Sequence, residues 1–133
     1  MAETPYQHLT CRTEQGVLVV VLTATQMTGD QLADEMRQEL IGAVTEHNAT
    51  RLVLDFQNVR YLGSAGFRPL LSLYRKLRDA SGRMVFCNLS PDVAEVFLIT
   101  RLITTSRSST APFEQAPDLP TALARVQEAE APK

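Results

Sequence analysis

Two hydrophobic periods divide this chain. Val17 to Leu22 is a continuous, mostly β-branched apolar run, the strongest strand signal present. Arg51 to Phe56 and Arg83 to Asn88 repeat the pattern on a shorter scale and predict strands covered on both faces. Leu32, Met36, Leu40, Ile41 and Val44 recur instead at helical spacing and predict a helix from Asp30 to Glu46. Thr28 or Asp30 is expected to cap its start, and His47-Asn48 suits its end. Phe67, Leu70, Leu71, Tyr74 and Leu77 form the apolar stripe of a second helix. Ser81-Gly82 stops it, with Gly82 expected as a left-handed C-cap.

The flanks follow the same logic. Residues 6–12 alternate loosely and lead into Glu14-Gln15-Gly16, a hairpin turn before the Val17 run. Thr23 to Gly29 is a polar connection with Met27 inside it. Ser90-Pro91-Asp92 opens a short helix ending near Thr100, with Val93, Val96, Phe97 and Leu98 as its apolar face. Leu102 to Thr105 suggests a marginal strand, and Ser106 to Pro117 a polar, proline-containing loop. Leu119, Leu123 and Val126 mark a final amphipathic helix before the polar tail. The order β-β-α-β-α-β-α-β-α predicts one α/β domain, a mostly parallel sheet with an N-terminal antiparallel hairpin and helices packed on it. Its expected span is residues 6–128, with residues 1–5 and 129–133 as flexible termini.

Composition narrows the function classes. With 133 residues, 44% of them apolar and 21% charged, the chain has the balance of a single soluble domain. It holds no apolar run near the roughly 18 residues needed to span a bilayer. Met1 to Tyr6 lacks the basic start and apolar core of a signal peptide, so cytoplasmic residence is expected, without membrane attachment. A formal net charge of −2 argues against a general nucleic-acid binder. Cys11 and Cys87 form no Cys-x-x-Cys pair and are expected as small buried thiols. His8 and His47 have no partners at ligand spacing, so neither a metal site nor a cofactor is expected.

The chemistry concentrates where the central strand turns into the second helix, at Gly63-Ser64-Ala65-Gly66. A serine there lies near unpaired backbone N–H groups and the positive end of the helix dipole. Three roles are open to Ser64 from its position alone: a helix N-cap, a phosphate acceptor, or a nucleophile. Pro69 complicates a helix capped by Ser64, because it would stand fifth and disturb the first regular turn. The nucleophile fails on spacing. A nucleophile elbow needs Gly-x-Ser-x-Gly followed by an acid and then a histidine. Here both histidines precede Ser64. A phosphate-binding Gly-x-x-x-x-Gly-Lys-Ser/Thr stretch is also missing.

The run RLVLDFQNVRYLGSAGFRPLLSLYRKL, followed by GRMVFCNLSPDVAEVFLITRLI, resembles a STAS domain, the fold of bacterial anti-sigma factor antagonists. The resemblance covers about residues 6 to 128, and the TALARV segment is similar to the family's closing helix. In that family the turn reads Asp-Ser-Ser-Gly or Asp-Ser-Thr-Gly, and a partner serine kinase that is also an anti-sigma factor phosphorylates its first serine. The resemblance puts that serine at Ser64 and the glycine at Gly66. The family's aspartate falls on Gly63 and its second hydroxyl on Ala65. It therefore implies a non-enzymatic, partner-switching regulator with Ser64 as phosphorylation site. Gly63, Ser64, Ala65, Gly66 and Arg68 would be the contacts for an anti-sigma factor with kinase activity. The alternative is a constitutive interaction module in which Ser64 only caps the helix.

Charge adds a second indication. Between Phe56 and Pro91 stand six basic residues, Arg60, Arg68, Arg75, Lys76, Arg78 and Arg83, against one acid, Asp79. Arg75, Lys76 and Arg78 suit the end of a helix. Arg68 stands four residues after Ser64, early in the helix, within reach of a phosphate there or of an acidic partner.

Overall fold

The computed structural model describes residues 6–100, 103–104 and 113–127. Its main sheet has six strands, β1 (Leu9–Glu14), β2 (Val17–Leu22), β4 (Arg51–Asp55), β6 (Arg83–Cys87), β7 (Ile103–Thr104) and β8 (Phe113–Ala116). They lie in the order β1-β2-β4-β6-β8-β7, and every neighbouring pair is parallel except β1 with β2. Two further strands, β3 (Gln26–Met27) and β5 (Tyr61–Leu62), form a separate parallel pair. The helices are α1 (Asp30–His47), α2 (Phe67–Asp79), α3 (Pro91–Thr100) and α4 (Leu119–Val126).

Alternation along the strands sorts the core into two layers. Leu18, Val20, Leu22, Leu52, Leu54, Met84 and Phe86 face α1, α2 and α3. Val17, Val19, Val53, Val85 and Cys87 face the opposite way, against Ala122, Leu123 and Val126 of α4. That is why the central strands read as unbroken apolar runs: each face has its own helical cover. The expected α/β architecture with its antiparallel opening hairpin is the observed one. The hairpin closes through Gln15 (φ 56) and Gly16 (φ 78), the two positive φ values of a tight primed turn.

Several local expectations are corrected. Residues 113–116, placed in a loop by their polar neighbours, are a strand inserted between β6 and β7. Phe113 explains it. Its ring stacks on Phe86 at 4.8 Å and is fully buried, so the core captures a segment with little strand signal of its own. Residues 105–112 lie outside the described residues, as do the expected flexible termini 1–5 and 129–133. α1 is preceded by Gly29 (φ 86), and no side chain caps it, so neither Thr28 nor Asp30 does so. The left-handed residue after α2 is Ser81 (φ 58) rather than Gly82. Ser81 N–H donates to Arg78 O and Gly82 N–H to Leu77 O, closing the helix with paired backbone bonds. α2 buries Leu70, Leu73 and Leu77 most deeply, one step round from the expected stripe. Leu98, expected on the apolar face of α3, is 59% exposed beside Ile99 at 73%. As the spacing predicts, Ser90 Oγ caps α3 by accepting from Val93 N–H at 3.2 Å, and Asn48 (φ 50) ends α1.

Candidate functional site

The Ser64 turn is assembled from three separate segments. β4 ends at Asp55, a buried carboxylate whose Oδ1 accepts from Gln57 N–H at 2.9 Å and from Asn88 Nδ2 at 3.1 Å. These bonds satisfy the acid inside the protein and tie the ends of β4 and β6 together. Val59 N–H then donates to Phe56 O, and Asn58 Nδ2 reaches Leu22 O at 3.0 Å, so the chain folds back over the strand ends. β5 pairs with β3, and Gly63 N–H donates to Met27 O at 2.9 Å. The turn is thus pinned to the segment that Thr23–Gly29 forms, which carries more structure than its polar composition suggested.

From Gly63 the chain enters a single 3-10 turn, Ser64–Gly66, that runs directly into α2. Gly63 (φ −92, ψ 175) occupies the cap position, and no side chain caps either the turn or α2. Ser64 is therefore not a helix cap, and that part of the alternative reading is overturned. It lies on the surface inside the turn. Pro69 is accommodated because the 3-10 turn absorbs the first residues, leaving it third in α2, where its missing N–H would have had no helical partner. Gly66 is required by space: a Cβ there would meet Leu62 Cδ1 at 2.6 Å and Met27 O at 2.8 Å. Gly63 is less constrained, with Thr28 Cγ2 at 3.1 Å as the nearest contact. Ala65 is half-buried between them.

Arg68 belongs to this site by position, but its side chain is turned aside. Arg68 Nη2 donates to Asp30 Oδ1 at 2.7 Å, linking the starts of α2 and α1. Arg68 is 53% and Asp30 88% exposed, so the pair is a surface ion pair of at most about 1 kcal/mol and is readily exchanged. Asp30 and Thr28 are neighbours of the turn that the sequence did not point to. They lie more than thirty positions away along the chain, and only the fold brings them there. Tyr61, on β5 beside the turn, is 57% exposed and lines a groove with Arg60, Asp92, Glu95 and Val96. An aromatic in a polar stretch was its only local signal.

The other candidate groups are engaged elsewhere. His8 Nε2 is 2.8 Å from Glu35 Oε1, and His47 Nδ1 donates to Ala43 O at 3.0 Å. Burial, with the Asp55 and Asp118 carboxylates adding to it, pushes the Cys87 thiol up to about 12. It stays protonated at neutral pH and is a poor nucleophile or metal ligand. Among the described residues no helix is long and apolar enough to cross a membrane.

The STAS domain family matches residues 9–110, most of the chain, including the whole Ser64 turn. The chain belongs to the STAS family. Among relatives of this STAS chain is BtrV of Bordetella bronchiseptica, which carries the name anti-sigma factor antagonist. The two are 34% identical over 85 residues, 64% of this chain and 71% of BtrV. An anti-sigma factor antagonist from Mycobacterium paratuberculosis superposes with a TM-score of 0.70 at 27% identity, over 90% of this chain and 93% of its own. SpoIIAA, solved in an unphosphorylated form and, from Bacillus, in a phosphorylated form, superposes at TM-scores of 0.63 and 0.60. The identities are 18% and 20%, with 91% and 90% of this chain and 99% of each SpoIIAA chain covered, a likeness of fold.

Proposed function

We propose that this STAS domain, acting as one unit over residues 6–128, is a non-enzymatic cytoplasmic antagonist of an anti-sigma factor. The anti-sigma factor binds the surface formed by Gly63, Ser64, Ala65, Gly66 and Arg68, and its serine-kinase activity phosphorylates Ser64 to end the association. The names of the relatives give the partner class. The observation that carries the switch is the exposed Ser64 in an uncapped turn: its hydroxyl is not spent on holding the helix.

The energetics agree with release by charge. In the free protein a phosphate on Ser64 would sit at the uncapped start of a helix, where the dipole and the leading N–H groups favour an anion. Arg68, four residues on, can leave Asp30 for it. Buried against a partner that already engages Arg68, the same dianion loses water without a free counterion and is penalised. Phosphorylation then weakens binding while leaving the fold intact.

Intact mass of the protein from its native cells, compared with a Ser64→Ala variant, tests this. The expected result is a fraction of wild type carrying one added phosphate and none in the variant. A Ser64→Asp variant is expected to bind the anti-sigma factor about tenfold or more weakly. A wild type that stays unmodified across growth conditions, with Ser64→Asp binding unchanged, would rule the switch out. The protein would then be a constitutive interaction module, a reading that Gly63 and Ala65 favour because they stand where the family has an aspartate and a second hydroxyl.

A further inference from the structure

The basic residues of α2 and its flanks do not share one fate. Arg83 pairs with Glu114, and Arg78 lies over the Tyr74 ring with its Cζ 5.6 Å from the centroid. Arg75 does neither. Among the described residues Arg75 has no ion-pair or hydrogen-bond partner, and the same holds for Arg37 on α1. Arg37 and Arg75 line one open groove along the α1–α2 seam together with Arg68, Ser72, Leu71 and the single acid Asp34. Even counting Asp30, which pairs with Arg68 at one end, three guanidinium groups meet two carboxylates in this trough of a protein whose formal net charge is −2. Like charges brought together repel, and an anionic occupant removes that cost.

We propose that this groove docks an acidic segment of a protein partner. The cations are spread along it. Arg68 and Arg75 stand seven residues apart on α2, roughly 10 Å along the axis, so they suit two or more carboxylates on one chain better than a single small anion. Leu71 gives the groove an apolar wall for the stems of acidic side chains, and Ser72 supplies a hydroxyl donor. The Arg68 end lies at the Ser64 turn, so a chain engaged at the turn continues into the groove. The identity of the partner rests on the function proposed above, whereas the preference for an acidic chain rests on the groove alone.

The experiment uses the full chain and a short fluorescein-labelled peptide of alternating glutamate and serine, with its glutamine counterpart as control. Fluorescence anisotropy should show binding of the acidic peptide only, weakening severalfold as salt rises from about 0.05 to about 0.3 M. The Arg37→Glu, Arg75→Glu double variant should bind roughly tenfold more weakly, and the Arg37→Gln, Arg75→Gln variant should fall between the two. Amide chemical-shift changes in the wild type should centre on residues 33–37 and 68–75. Equal binding of the glutamine peptide, undiminished binding by the charge-reversed variant with its fold confirmed by circular dichroism, or shifts centred on another face would overturn the proposal. Selective binding of the acidic peptide by wild type, together with an unmodified Ser64 in cells, would sink the phosphorylation switch and leave the groove standing.

Discussion

At Gly66 one hydrogen decides the geometry of the turn. A methyl group there would press on Leu62 Cδ1 and on the carbonyl of Met27, the residue whose carbonyl also receives Gly63 N–H. Gly66→Ala should therefore destabilise the protein by about 1–3 kcal/mol, measured by chemical denaturation. Gly63→Asp, which restores the residue the family carries there, presses on the Thr28 methyl at 3.1 Å but meets Met27 O only at 3.7 Å, and should stay within about 0.5 kcal/mol of wild type. An equal loss from both would mean that the turn is not held where it is described. Ser64 contributes little to stability by the same logic, since it caps nothing. Arg68 has a choice of partners. Its bond to Asp30 is exposed, and a phosphate on Ser64 would offer it a second, doubly charged acceptor.

Single elements are secured by polar devices at their ends. α4 begins with Asp118, whose side chain accepts from Thr121 N–H at 2.9 Å. Hydrogen bonding from the Thr121 side chain, and with it the bond from the Thr121 N–H, holds the Asp118 carboxyl below the usual carboxylate range. A carboxyl with a lowered folded pKa stabilises above its unfolded pKa, and the contribution is lost as pH falls through the folded value. Melting temperature should drop on acidification below about pH 4, and less steeply in Asp118→Asn, which caps without titrating. The far end of α4 is clasped to the sheet. Arg83 Nε and Nη2 donate to both oxygens of Glu114 at 2.9 and 2.8 Å, while Arg83 Nη1 reaches Arg125 O. Their side chains are only 10% and 13% exposed. Arg83→Met should cost about 3 kcal/mol by stranding Glu114, and adding Glu114→Leu should recover much of it. An additive double variant would show that the two residues act separately. This clasp also shows why β8 escaped the sequence. What makes Phe113–Ala116 a strand is Phe86 and Arg83, both distant in the chain, and Arg125 on the following helix, rather than any alternation of its own.

The molecule as a whole was legible where one face or stripe repeats. β2, β4 and β6 announced themselves because both sheet faces are covered, and α1 because its buried residues keep a helical period. The Ser64 turn was legible as small residues between a strand and a helix. Its supports were not: the β3–β5 pair is two residues on each side, too short for a period, and the Asp30–Arg68 link depends on how α1 and α2 are packed. The cationic groove was visible only as a surplus of arginines, half of the story until Arg37 arrived from another helix. The backbone bonds from Gly63 to Met27 and from Arg60 and Tyr61 to Thr25 have a further consequence. They fix the Ser64 turn in place on its own, so association through it would not be taxed by ordering a flexible segment. Encounter should be close to rigid docking, with little heat-capacity change beyond that of the apolar area covered. A phosphate on Ser64 would then change how this surface is charged, while its shape waits unchanged for the next partner.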